Sequence, residues 1–317
     1  AVESQNRIWS EQNPMFIREG MLHIGDFQFP VNQVFKTAPA PWHIRWLRKL
    51  GLARTPAATA VPPVTREQWQ ALNLPSNKKA LYLTLQSFKV GQNVLYIGET
   101  GGGKTWMASM IAKLTGRKLY SVSFTEYTKN QDLLFSRTFG EEAAGKTGKT
   151  LEVVLQWLDD PDGGILLLDE LHKPLEGIAA LNNILQNLTY HFNGRDITGD
   201  RSKHFVIGTM NPVKPPYKGE PPSGELSSRF GTTLQVNYLP SAEESALLSI
   251  FFPETSPNLA AKLVAIAKDL RRIYPDVLPL PISSRTLLNV IVKNIAYPND
   301  DIVEFFKTTY NPWTITD

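Results

Sequence analysis

The stretch NVLYIGETGGGKT, residues 93–105, decides the fold. Residues 93–97 read as a buried strand. Gly98-Glu99-Thr100-Gly101-Gly102-Gly103-Lys104-Thr105 then matches G-x-x-x-x-G-K-[ST], and WMASMIAKLT continues as a helix to about residue 115. Strand, glycine-rich turn and helix, in that order, are what phosphate binding needs. Glycine lets backbone N–H groups turn inward, and a helix N-terminus adds partial positive charge. In this pattern Lys104 reaches the β- and γ-phosphates of a nucleotide and Thr105 ligates Mg²⁺. Trp106 follows directly and closes the candidate nucleotide-binding stretch 98–106, its ring reading as a packing group of the helix rather than a base-stacking one.

A second stretch, Gly140-Glu-Glu-Ala-Ala-Gly-Lys146-Thr147, fits the same pattern. Its context fails. No apolar strand leads into it, Gly148 interrupts any helix that would follow, and two acidic residues would repel phosphate. It reads as a mobile loop whose Lys146 and Lys149, with Arg137 nearby, are solvated or touch a partner.

Farther along, ILLLDE at 165–170 is an apolar strand ending in two carboxylates. Such an edge is where open α/β sheets bind ligands. Asp169 lies 65 positions after Lys104. It is the candidate Mg²⁺ ligand, and Glu170 is the candidate group for orienting the attacking water.

Around these motifs, short apolar runs alternate with helical stretches. Helices are expected at 77–88, 150–158 and near 175–189. Strands are expected at 119–124, 165–168, 204–209 and 232–236. The alternation predicts an α/β fold, a mostly parallel sheet covered by helices. Asn193-Gly194 between TYHF and RDIT signals a hairpin. After Leu239 the strands stop. Ser241-Ala-Glu-Glu244 reads as a capping box opening a helix that Pro253 ends. Helices are also expected at 257–274, 284–296 and 300–309. The organisation is therefore an N-terminal extension (1–75), an α/β nucleotide-binding domain (76–239) and a small helical lid (240–317). The extension is rich in Pro and Trp. Residues 42–52 suit a short helix with Trp42, Trp46 and Leu50 near one face and a basic rim, and 55–65 suit an extended linker.

Composition narrows the chemistry. With 317 residues the chain can bury a sizeable core, and a net charge of +3 neither demands nor excludes nucleic acid. There is no cysteine, which removes disulfides, thiol nucleophiles and Cys-ligated metal. The five histidines have no metal-ligand spacing. No G-x-S-x-G elbow is present. No run approaches a membrane span, and the polar first residues give no sign of a secretory leader. A cytoplasmic location is the expectation.

GETGGGKT, ILLLDELHK, the GTMNP that ends a strand, the ELSSRFG segment and ISSRTL occur in one order. On these motifs the chain, over roughly residues 76–300, resembles AAA+ ATPases. The resemblance is to the MoxR-like and dynein-related branch that includes CbbQ, NorQ and the ATPase subunits of cobalt and magnesium chelatases. QDLLFSRTFG is similar to a segment of MoxR-like proteins, with Phe135 where the family usually has Gly. The resemblance implies roles. Asn211 is sensor 1, beside the γ-phosphate. Arg229 is the arginine finger, acting on a neighbouring subunit's nucleotide. Arg285 is sensor 2, reaching from the lid. Arg195 and Arg201 are further cations that could act in trans. An arginine acting in trans implies a homo-oligomer, most often a hexameric ring. ATP is expected over GTP because no N-K-x-D guanine reader is present. The implied activity is Mg²⁺-dependent ATP hydrolysis that remodels or loads a protein client, in this branch often one with a von Willebrand A domain. A nucleic-acid motor and a slow nucleotide-dependent assembly switch are the alternatives. No C₂H₂, bZIP or RRM signature supports the motor.

Overall fold

The computed structural model describes residues 14–31, 62–125, 128, 133–139, 147–173, 179–213, 217, 220–274 and 281–310, with 136–139, 147–150 and 179 in backbone only. The helix expected at 42–52, with Trp42 and Trp46, lies outside them, as do most of the Pro-rich stretch and Lys146.

The centre is a five-stranded parallel sheet in the order β12-β4-β11-β8-β5. Its strands are β4 (Asn93–Ile97), β5 (Leu119–Ser123), β8 (Gly164–Asp169), β11 (His204–Met210) and β12 (Phe230–Gln235). The inner strands are apolar runs because helices cover both faces. All seven residues of β11 are buried. The edge strands β5 and β12 bury only part of their length. Alternation along each inner strand divides the core into two layers. Val94, Tyr96, Ile165, Leu167, Phe205 and Ile207 face one cluster. Leu95, Leu166, Leu168 and Val206 face the other.

The first layer is closed by α2 (Pro75–Lys89), through Leu81 and Leu85, and α3 (Lys104–Thr115), through Met107 and Ile111. A three-stranded antiparallel sheet joins the same cluster: β1 (Met15–Arg18), β2 (Met21–Ile24) and β3 (Phe27–Pro30). Met15, Leu22, Ile24 and Phe29 are its buried residues. Sequence reading did not foresee these strands. Their first turn uses Glu19 and Gly20, both at positive φ (53° and 73°), where Asn-Gly or Asp-Gly would be the ordinary signal.

The second layer is closed by α4 (Val153–Asp159), α5 (Ala179–Asn187) and two hairpins. One hairpin, β9 (Thr189–Phe192) with β10 (Arg195–Thr198), turns at Asn193-Gly194, both at positive φ. It is the turn that the dipeptide predicts. The other pairs β6 (Phe135–Phe139) with β7 (Thr147–Leu151), setting Arg137 opposite Lys149. This corrects two expectations. Lys149 lies in a strand, not a loop, and Thr150 and Leu151 belong to that strand rather than to the following helix, which starts at Val153. Thr147 likewise opens a strand where a phosphate loop would open a helix.

Four helices follow the sheet: α7 (Ser241–Phe251), α8 (Pro257–Arg272), α9 (Ser284–Ala296) and α10 (Ile302–Thr309), with α6 (Gly224–Ser227) preceding β12. Leu248, Phe251, Leu263, Leu287 and Ile291 form their core, which also takes in Ala71 of α1 (Arg66–Leu72). Trp106 packs against both this core and the first layer of the sheet, in keeping with its reading as a packing residue.

The expected capping box at Ser241 is not formed. Pro240 occupies the N-cap without a side-chain bond. Glu244 is fully buried and accepts a two-pronged pair from Arg271 at 2.8 Å on each prong, with the Ser284 hydroxyl as third donor. Its neighbour Glu243 accepts instead from the Ser76 amide (2.9 Å) and hydroxyl (3.0 Å) in the first turn of α2. A true capping box is made by Thr65 and Gln68 at α1.

Candidate functional site

Four strand ends meet at the C-terminal edge of the sheet. β4 runs into Gly98, whose tight path is required: a Cβ there would stand 1.9 Å from the Val236 carbonyl oxygen. Gly101 has φ +75°, and a Cβ would fall 2.5 Å from the Cβ of Ser283, at the N-cap of α9. The loop therefore lies directly against the C-terminal helices. Residues 98–103 curl over the N-terminus of α3, where Lys104 and Thr105 begin the helix.

The Lys104 ammonium donates to the carbonyls of Gly98 (2.6 Å) and Glu99 (3.0 Å) and to Asn211 Oδ1 (3.1 Å). Burial pulls it below its ordinary pKa, while the carboxylates of Asp169, Glu170 and Glu99 oppose that shift. Thr105 Oγ1 stands 3.2 Å from Asp169 Oδ2. The predicted nucleotide and metal residues thus converge: Lys104, Thr105, Asp169 and Asn211 form one connected group.

Sequence reading missed Thr209. Its hydroxyl donates to Asp169 Oδ1 and accepts from the Glu170 amide at 3.3 Å. Lying on β11 beside β8, it fixes both carboxylate residues. Register between two non-consecutive strands is what brings it there, and no local motif marks it. Glu170 itself has φ +69°, a conformation that costs energy in a residue with a Cβ.

His172, two positions after Glu170, belongs to the same group. Its ring is buried between Glu170 and Asn211. Nδ1 accepts from the Asn211 amide at 3.3 Å, and Nε2 stands 3.5 Å from Glu170 Oε2. Burial, the largest cause, lowers its pKa, and because Nδ1 accepts the Asn211 amide, the neutral ring carries its proton on Nε2.

Tyrosines close the other side of the loop. Tyr217 donates to the Glu99 carboxylate, and Tyr238 donates to the Thr100 carbonyl at 2.8 Å. Burial followed by the Glu99 hydrogen bond raises the Tyr217 pKa. The Arg271 guanidinium lies 4.1 Å over the Tyr238 ring, which ties the loop to Glu244 and the C-terminal helices.

Two predicted arginines take separate places. Arg285 lies exposed in the first turn of α9, one position beyond the Ser284 that reaches Glu244, and has no hydrogen bond or ion pair with any described residue. Arg229 is at the opposite edge of the sheet. Phe230 pairs with Asn93, at the start of β4, and the Asn93 amide holds the Arg229 carbonyl at 2.9 Å. Arg229 Nε is buried with no hydrogen-bond partner among the described residues, and its Nη2 lies 3.8 Å from the Glu225 carboxylate. It lines a pocket of about 230 Å³ with Gln92, Gln186, Arg201 and Ser228. Arg201 donates to the Gln186 carbonyl there. Arg195 is instead engaged by Asp159, at 2.7 and 3.0 Å.

Mg²⁺ fits this residue set. Among the described residues no three His, Asp or Glu side chains cluster as a protein metal cage. Mg²⁺ commonly needs none, taking one or two protein oxygens together with nucleotide phosphates. Thr105 and Asp169 offer that pair.

The sheet order, the phosphate loop and the helical C-terminal region are those of the AAA+ P-loop ATPase fold. Residues 93–230 match the family model of the AAA domain (dynein-related subfamily). Among curated proteins, the chain is 30% identical over 139 residues to the sigma54-dependent transcriptional regulator SfnR of Pseudomonas fluorescens, covering 43% of this chain and 37% of that protein. It is 29% identical over 164 residues to an uncharacterized protein of Staphylococcus aureus, covering 48% and 58%. The chain therefore spans less than two thirds of the length of these relatives. Among solved structures it is similar to the Holliday junction branch migration motor RuvB of Thermotoga maritima, with 17% identity, a TM-score of 0.46 and coverage of 78% and 72%. No helix among the described residues is long and apolar enough to cross a membrane.

Proposed function

We propose that the chain is a ring-forming ATPase that hydrolyses ATP with Mg²⁺ to remodel, load or activate a macromolecular partner, in the manner of MoxR-like proteins. The observation that carries the reading is the convergence of Lys104, Thr105, Asp169, Glu170 and Asn211 at one sheet edge while Arg229, whose buried Nε has no hydrogen-bond partner among the described residues, stands at the other.

Each residue then has a task. Lys104 exchanges its present acceptors for phosphate oxygens, aided by backbone N–H groups of 101–105. Thr105 and Asp169 hold Mg²⁺, which when bound neutralises charge on the β- and γ-phosphates. Glu170 orients the attacking water, and Asn211 positions it beside the γ-phosphate. Arg285 reaches the γ-phosphate from the C-terminal helices. Arg229, too far from its own Lys104, completes the neighbour's site, where a cation stabilises the charge spread over the transferring phosphoryl group. A homo-oligomer follows, a hexameric ring being the form proposed. The partner is proposed to be a protein, a von Willebrand A domain being one class to test.

The test is phosphate release by the purified chain with ATP and Mg²⁺, followed by capture on Glu170→Gln protein held with ATP, with and without nuclease. Turnover, and a protein partner that survives nuclease, are expected. ATPase stimulated by DNA and fading with salt would overturn the protein-remodelling reading. Absence of any turnover would overturn the enzyme.

A further inference from the structure

The backbone of Glu170 is held at several points. Its amide donates to Thr209 Oγ1 at 3.3 Å, its carbonyl accepts from the Lys173 amide at 3.0 Å, and the next amide, Leu171, donates to the Thr209 carbonyl at 2.9 Å. These bonds maintain the positive φ. The remaining freedom is in the side chain. Among the described residues its carboxylate has one ion-pair or hydrogen-bond partner, His172 Nε2 at 3.5 Å.

His172 is not free to wander. Its ring is buried, its carbonyl accepts from the Glu220 amide at 3.1 Å, and its Nδ1 takes the Asn211 amide. The Asn211 side-chain Nδ2 lies 3.5 Å from the same Nε2, and the Oδ1 of that amide is held by Lys104. A continuous chain of polar contacts therefore runs Lys104–Asn211–His172–Glu170. Its first member is the group that a γ-phosphate would claim. Loss of the Lys104 bond frees the Asn211 amide to turn, and the turn changes what His172 Nε2 faces.

We propose that His172 is a positioning residue that sets the orientation of the Glu170 carboxylate and couples it, through Asn211, to occupancy of the phosphate loop. The inference rests on the reading of Glu170 as the group that orients water. It assigns His172 no contact with nucleotide. Its effect belongs in turnover, not in binding.

The experiment compares wild type, His172→Ala, His172→Gln and Glu170→Gln in the full chain. Steady-state turnover, equilibrium binding of ATP and thermal melting are measured for each. Misplacing a catalytic group by an ångström costs on the order of 10²-fold. His172→Ala is accordingly expected to lower kcat about 10²-fold while the Kd for ATP stays within about threefold. His172→Gln, which keeps a donor and an acceptor, is expected to recover most of the loss. His172→Ala combined with Asn211→Ala is expected to be no worse than the poorer single variant, because the residues act in one chain. Should the alanine variant fail to melt cooperatively, His172→Phe, which fills the site without a donor or acceptor, replaces it: a loss of kcat that does not add to that of Asn211→Ala supports the chain, while kcat within twofold of wild type, or fully additive losses, overturns it. Unchanged kcat in folded His172→Ala overturns the proposal, as does an equal loss of binding and turnover. Normal hydrolysis by Glu170→Gln would sink the reading of the site and this inference with it. A stalled Glu170→Gln beside unaffected His172 variants would sink the inference alone.

Discussion

The two edges of the central sheet are built from the same strands and are chemically opposite. At the C-terminal edge nearly every polar group is answered by a neighbour: Lys104 by three oxygens, Asp169 by Thr105 and Thr209, Glu170 by His172. At the N-terminal edge the Nε of the Arg229 guanidinium is buried with no hydrogen-bond partner among the described residues. Burying such a group costs free energy unless something outside the chain pairs it. The strand that joins the edges, from Asn93 to Gly98, spans about 16 Å at 3.3 Å per residue. A single chain holds its phosphate loop and Arg229 at opposite ends of that strand. The difference supports the proposal that each chain supplies half of two sites, which assembly would join.

Several substitutions break or sharpen that contrast. Arg229→Ala should have the largest effect, lowering phosphate release by about 10³- to 10⁵-fold with ATP binding kept, as followed by turnover and nucleotide titration. Equal loss of binding would mean that the far edge does more than complete a neighbour. Glu170→Gln should lower turnover about 10²- to 10⁴-fold and again leave binding intact; rapid hydrolysis would remove Glu170 from its role. Arg271→Ala acts on neither edge directly. It strands the buried Glu244 carboxylate and loosens Tyr238 from the phosphate loop, so chemical denaturation should register a loss of about 3–5 kcal/mol. Thr65→Ala removes the side-chain half of the α1 capping box, remote from both edges. It should cost about 1 kcal/mol with turnover unchanged; a kinetic defect would show that α1 reaches the site.

Much of the C-terminal edge was legible because its residues sit in local patterns. A glycine loop between strand and helix announces Gly98–Thr105, and an apolar run ending in Asp-Glu announces Asp169 and Glu170. The inner strands were legible as apolar runs, and Asn193-Gly194 as a turn. Thr209 was not, because only the pairing of β11 with β8 brings it to Asp169. The tie between His172 and Asn211 was not legible either, because the two lie 39 positions apart. The Ser241 capping box failed for a related reason. The motif is local, but the long-range pair with Arg271 outbids it for Glu244, and the real box at Thr65 uses Gln in place of Glu. The β1–β3 sheet was hidden by strands of four residues and an uncommon turn pair.

The central claim is that Arg229 of one chain completes the Lys104 site of another. Mixing Lys104→Ala protein with Arg229→Ala protein tests it most directly, each being inactive alone for a different reason. In an equimolar mixture that assembles at random, an interface needs an intact Lys104 on one side and an intact Arg229 on the other. Phosphate release should therefore return to about a quarter of the wild-type rate. A mixture that assembles and stays as inactive as its components would contradict the account.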